Sequence, residues 1–145
     1  MPSRAVLEII QNRDFVTTTP EKSVRAVAAH MKKFGAAAVL VVNEKDGSLI
    51  GICTERDLTY KVLAEGLDLK TPVAEVMTVN PQGVTAEKTF GHALHLMHEG
   101  GFRHMPVLDP QGRPVGLVSS RDALGLEVSN FRKELEHKEA LAEIL

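Results

Sequence analysis

Thr54 and Asp57 close the short run Gly51-Ile-Cys-Thr-Glu-Arg-Asp57, and Ser119 and Asp122 close Gly116-Leu-Val-Ser-Ser-Arg-Asp122 with the same spacing. Each time a hydroxyl and a carboxylate three residues apart sit where an apolar strand gives way to a helix. Two kinds of chemistry suit that corner. A helix N-terminus presents unpaired backbone N–H groups and a partial positive charge, which favour an anion such as phosphate. The carboxylate can accept two hydrogen bonds from neighbouring hydroxyls. The same residues also read as plain capping boxes that satisfy a helix end and nothing else. Both readings stay open on the residues alone, and one corner can serve both.

Catalytic chemistry has less support. The chain carries no Gly-rich phosphate loop, no nucleophile elbow and no His-Glu-x-x-His motif, and neither Thr54 nor Ser119 has a general base evident in sequence. We expect no enzyme. His92, His95 and His98 advance in three-residue steps that swing each ring about 60° around a helix, and their counterparts Ala26, Ala29 and Lys32 lie off the buried stripe; no metal site is expected. The one cysteine, Cys53, sits in an apolar run and reads as a buried thiol.

The elements that position the two corners repeat as well. Val24, Val27, Ala28 and Met31 mark the buried stripe of a helix that starts at Ser23 and stops at Gly35. Ala38–Val42 is an apolar run of the kind buried on both faces of a sheet. Asn43–Gly47 turns the chain into a return strand, Leu49–Cys53, and a helix follows from Thr54 to about Glu65. A short helix after Thr71-Pro72 precedes the second round. With an offset of 66, Glu21-Lys-Ser-Val24 falls on Glu87-Lys-Thr-Phe90, Met31 on Met97, Gly35 on Gly101, and Val41-Val42 on Val107-Leu108. One residue fewer in the second hairpin turn changes the offset to 65 and brings the corners into register, an indel where a duplicated fold tolerates one. The reading divides the chain into an N-terminal helix (1–11), repeat 1 (12–70), repeat 2 (71–128) and a C-terminal amphipathic helix (129–145).

Composition agrees with a globular α/β protein: 145 residues, 43% hydrophobic, 25% charged, no Trp and one Tyr. The net charge of −2 offers no basic field for a nucleic-acid backbone. No apolar stretch near the N-terminus is long enough for a signal peptide or a membrane span, so a soluble, cytoplasmic protein without nucleic-acid or membrane partners is expected.

The order strand, helix, strand, strand, helix in two copies, with Phe102-Arg-His-Met-Pro-Val-Leu108 and Gly116–Asp122, closely resembles a pair of cystathionine-β-synthase (CBS) domains over residues 12 to 128. The resemblance implies two pseudo-symmetric β-α-β-β-α repeats packed through their sheets, with short helices at both ends. It also implies two clefts that take adenosine-containing ligands, AMP foremost, with ATP, NAD or S-adenosylmethionine as alternatives. A regulatory homodimer that signals to a protein partner through a conformational shift is the expected function. The rival is a ligand-independent dimerisation or interaction module, with the terminal helix as cover or contact.

The same resemblance assigns residues. Asp122 would hold the ribose and Ser119 would lie beside ribose or phosphate, with Arg121, Arg103 and His104 neutralising the phosphate. Asn12, Arg13, Asp14 and Ala37 would form the adenine side. The second cleft would use Thr54, Arg56, Asp57, Thr78 and Val79. Because repeat 1 offers only Ala36-Ala-Ala38 where repeat 2 offers Phe102-Arg-His104, the Asp122 cleft is expected to be the stronger nucleotide site.

Overall fold

The computed structural model describes residues 3–144, and the side chains of all of these except 125–130 and 143–144. Helix α1 (Val6–Ile10) is followed by β1 (Thr17–Thr18), α2 (Val24–Phe34), β2 (Ala38–Val42) and β3 (Leu49–Thr54). Helix α3 (Glu55–Asp57) runs on into a π-helical stretch, Leu58–Leu63, and a 3₁₀ turn, Val73–Glu75, leads to β4 (Thr78–Val79). Then come α4 (Phe90–Gly100), β5 (His104–Leu108), β6 (Pro114–Ser119) and α5 (Arg121–Ile144).

The duplication is legible in the caps. The Ser23 hydroxyl accepts from the Ala26 amide at 3.1 Å, and the Thr89 hydroxyl from the His92 amide at 3.1 Å. Gly35 (φ 62°) and Gly101 (φ 71°) end the two helices in the left-handed region that glycine enters without a Cβ clash. Val24, Val27 and Met31 face one core, and Phe90, Ala93 and Met97 the other.

Repeat 1 builds a sheet of order β1-β2-β3-β4, with β1 parallel to β2 and the remaining pairs antiparallel. In repeat 2 only β5 and β6 pair as strands, and the lead-in shrinks to one parallel bridge, Val84 to Val107. A single residue accounts for much of the difference. The Leu40 amide donates to the Val16 carbonyl at 2.9 Å in repeat 1, whereas its counterpart, Pro106, has no N–H to give.

Alternation along the strands sends Val39, Val41 and Cys53 toward α2, and Leu40 and Ile52 into a third cluster shared with Leu117 of the other repeat. Through that cluster the sheets meet. Each core is also closed by the segment preceding the other repeat. The Val6 and Leu7 amides donate to the Lys88 and Ala86 carbonyls, and the Val73 and Ala74 amides donate to Lys22 and Pro20. Val6 and Ile10 are thus buried in the repeat 2 core, and Val73 and Val76 in that of repeat 1.

This crossing explains the glycine in each corner strand. A β-carbon on Gly116 would lie 2.8 Å from three carbons of Ile10, and one on Gly51 would lie 2.9 Å from Cγ of Met77. A side chain there would collide with the strap.

Two expectations change. The short helix expected after Pro72 is a single 3₁₀ turn. No break separates the corner helix of repeat 2 from the expected terminal helix: α5 is one run of 24 residues, because no glycine or proline stop follows residue 125. No helix among the described residues is long and apolar enough to cross a membrane.

Candidate functional site

Two clefts flank the line where the sheets meet. One, of about 650 Å³, is lined by Ser119, Arg121 and Asp122, by Arg13–Thr17, by His30 and Phe34 of α2, and by Gly35–Ala38. The other, of about 790 Å³, is lined by Thr54–Asp57, Thr59, Tyr60, Thr78, Asn80–Gln82 and Gly101–Arg103. Ala37 and His104 face both. Each cleft therefore sets the hydroxyl–carboxylate corner of one repeat against the strand entry of the other.

At the first corner the capping box is complete. Asp57 Oδ2 accepts from the Thr54 amide at 2.9 Å and from its hydroxyl at 3.1 Å, while Thr54 Oγ1 accepts from the Asp57 amide at 3.2 Å. Lys61, one turn on, reaches Asp57 Oδ1 at 3.0 Å and donates to the Val76 carbonyl at 2.8 Å. Arg56 stacks on Tyr60, 4.8 Å from the ring centre.

At the second corner Asp122 Oδ2 accepts from the Ser119 amide at 2.8 Å. Both carboxylate oxygens also accept from Arg13, at 2.7 Å on Oδ1 and 3.0 Å on Oδ2, and the same guanidinium donates to the Leu117 carbonyl at 2.8 Å. That fork-on-fork contact spans 109 residues of sequence, and no local pattern announced it.

Most residues singled out from sequence line the cleft expected of them: Ser119, Arg121, Asp122, His104, Arg13, Asp14 and Ala37 on one side, and Thr54, Arg56, Asp57 and Thr78 on the other. Asn12 and Val79 are not among the lining residues. Arg103 is a correction. It lines the Asp57 cleft and not the Asp122 cleft, because the face-to-face packing lays the entry of β5 over the corner after β3. Its carbonyl stays with its own repeat, accepting from the Ser120 amide at 3.0 Å, as the Ala37 carbonyl accepts from Glu55. The reason for ranking the Asp122 cleft first thereby disappears. Sequence reading missed His30, Phe34 and Tyr60; the aromatic types were visible, but their faces depended on the packing.

Burial holds the His104 imidazole below its ordinary value near 6.5. Arg103 and Arg121 add to the depression, and Glu55 and Asp122 oppose it. The unfolded chain thus takes up a proton at a higher pH than the folded one, so this contribution to stability is whole above about pH 6.5 and is lost as the pH falls from there toward the folded value. Urea midpoints at pH 7.5 and 5.5 check this: His104→Gln should lose less stability on acidification than the wild type, and equal losses would point to another group. Cys53 is no nucleophile at neutral pH, since burial pushes its thiol up to about 12.

An uncharacterized protein of Methanopyrus kandleri is 32% identical over 131 residues, which cover 88% of this chain and 66% of that protein. The chain spans only 20% of CBS domain-containing protein CBSCBSPB5 of Arabidopsis thaliana, at 33% identity over 76% of its own length. Among solved structures, the CBS domain pair of protein MJ0100, in complex with 5′-methylthioadenosine and S-adenosyl-L-methionine, superposes with a TM-score of 0.80 at 27% identity, covering 89% of this chain and 99% of that one. A CBS domain protein from Pyrobaculum aerophilum complexed with AMP shares the fold at 23% identity, with a TM-score of 0.77 over 87% of this chain and 98% of that one. The CBS domain family matches residues 6–64 and 73–128, and with the duplicated corners and crossed sheets this chain belongs to the CBS-domain family as a tandem pair.

Proposed function

We propose that the protein is a regulatory module that binds an adenosine-containing ligand, AMP foremost, and passes the bound state to a protein partner as a conformational shift. The observation that carries this reading is the make-up of the clefts: in each, a hydroxyl–Asp corner of one repeat faces the strand entry of the other, with basic side chains beside it. Asp57 and Asp122 take the ribose. Arg56 and Arg103, with the start of α3, suit the phosphate of a nucleotide in the Asp57 cleft; Arg121 and the helix end at Ser119 suit one in the Asp122 cleft. The adenosine moiety common to both ligands of the MJ0100 pair supports the ligand class.

A ligand touching both repeats binds one relative arrangement of the sheets better than another, and its differential affinity shifts the population toward that arrangement. The module acts in the cytoplasm as a homodimer without catalysing a reaction. Along α5, Leu124, Phe131 and Leu135 recur at helical spacing and are exposed, which supports a contact between copies or with the partner.

Thermal unfolding of ligand-stripped protein with AMP, ATP, NAD, S-adenosylmethionine and 5′-methylthioadenosine tests the reading. A ligand at 100 times its Kd should add about 2.7 kcal/mol of stability. No shift with any of them at millimolar concentration sinks the sensor and leaves the ligand-independent interaction module.

A further inference from the structure

The two ribose-facing carboxylates are held by different hands. At Asp57 the basic partner is Lys61, from the same helix, whose side chain is 47% exposed, touches one carboxylate oxygen and donates to the Val76 carbonyl at 2.8 Å. A single ammonium on a four-carbon stem can leave that one oxygen and keep its bond to Val76. At Asp122 the partner comes from the crossing segment. Arg13 takes both oxygens in a bidentate contact and is anchored a third time on the Leu117 carbonyl; its side chain is 40% exposed and that of Asp122 only 16%. The residue that corresponds to Arg13 at the offset of 66 is Val79, and the stretch Thr78–Gln82 brings no cation to Asp57.

We propose that Arg13 is an internal latch: it fills the place of a ribose diol on Asp122, and an adenosine ligand enters that cleft only by displacing it. The inference rests on the functional reading above and makes the two clefts non-equivalent, with Asp57 filling first. A carboxylate has about four lone-pair directions. Asp122 spends two on Arg13 and one on the Ser119 amide, and Asp57 likewise accepts three bonds, from the Thr54 amide and hydroxyl and from Lys61. The clefts differ in how the cation is held, since clearing Asp57 for a diol takes one ammonium contact and clearing Asp122 takes a two-point fork.

The latch also gives the second binding event an output. Arg13 follows α1 by three residues, and its amide donates to the Ile10 carbonyl at 3.1 Å. Ile10 in turn packs on Gly116 in the repeat 2 core. Pulling the guanidinium off Asp122 and Leu117 frees the C-terminal end of that strap, so nucleotide in the Asp122 cleft is reported at α1.

Calorimetric titration of AMP into four proteins tests this: the wild type, Asp57→Ala, Arg13→Ala and the double variant. Wild type should show two unequal events. In the Asp57→Ala background, which leaves the Asp122 cleft to be read alone, Arg13→Ala should tighten AMP binding about tenfold. Unchanged or weaker binding there overturns the latch, the weaker case making Arg13 a ligand contact. Binding by the wild type that vanishes in both Asp57→Ala proteins overturns it too, since the Asp122 cleft then takes no nucleotide while the functional reading survives at Asp57. Silence in all four proteins removes that reading and the latch with it. As a second measurement on the unsubstituted protein, saturating AMP should speed amide exchange at Gln11 and Arg13, and protection there would overturn displacement.

Discussion

Ile10→Ala should lower the unfolding free energy by about 2–5 kcal/mol, a large effect for a residue on a five-residue helix at the edge of the chain. The expected size comes from where Ile10 lies. It is buried in the core of repeat 2, more than seventy residues from most of that core in sequence, and its side chain covers the face of β6 that Gly116 leaves bare. Deleting it opens a cavity that the sheet fills poorly, because a glycine offers no side chain to relax inward. The location of the damage is as specific as its size. Amide exchange should quicken first around Met105, Val107 and Val118 and only later around Val39, Val41 and Cys53, although α1 precedes repeat 1 in the chain.

A double-mutant cycle sharpens the point. Gly116→Ala alone overpacks the contact and should destabilise by about 1–3 kcal/mol. In the Ile10→Ala background the added methyl enters the space just vacated, so the double variant should be more stable than the sum of the two losses. Strict additivity, or equal loosening of both repeats, would show that the strap does not lie on β6.

Asp57→Ala should weaken the tighter of the two AMP-binding events about 100-fold, the loss expected for two charge-assisted hydrogen bonds to a ribose diol. The same substitution also removes half of a capping box, so stability must be read separately from affinity. Cap loss should lower the unfolding free energy by about 1 kcal/mol without ligand. Asp57→Asn separates the two roles: its side-chain oxygen still accepts from the Thr54 amide, while the other oxygen is replaced by an NH2 that can donate to a diol oxygen but no longer accepts from the diol. The Asn variant should therefore recover most of the stability and only part of the affinity. A tighter event of undiminished strength in Asp57→Ala, measured by calorimetry on folded protein, would leave Asp57 as a cap and nothing else.

Much of the architecture follows from local chemistry. Two helices with the same buried stripe, the same hydroxyl N-cap and the same left-handed glycine stop are readable because each signal lies within a few residues of its effect. The strand pairs and corners are readable for the same reason, down to the hydroxyl and carboxylate three residues apart. The π-helical stretch after Asp57 left no such mark in the pattern, whereas the uninterrupted run of α5 follows from the lack of a glycine or proline stop after residue 125.

What the tertiary structure alone decided is which surfaces those elements share. Arg103 belongs to the Asp57 cleft because the sheets meet face to face, and adjacency in sequence to His104 says nothing about the opposing corner. Residues 6–10 serve the core of repeat 2, and residues 73–76 that of repeat 1, because the segments cross on the way to their own repeats. Arg13 reaches Asp122 across 109 residues by the same crossing. Chain neighbours within a turn or a hairpin fix local geometry through backbone hydrogen bonds and steric limits, whereas contacts between the halves depend on the summed fit of both sheets, which no short stretch encodes. The duplicated corner was written in the sequence, and so was the lysine one turn after Asp57; that Asp122 meets a forked arginine was settled only when the chain folded across itself.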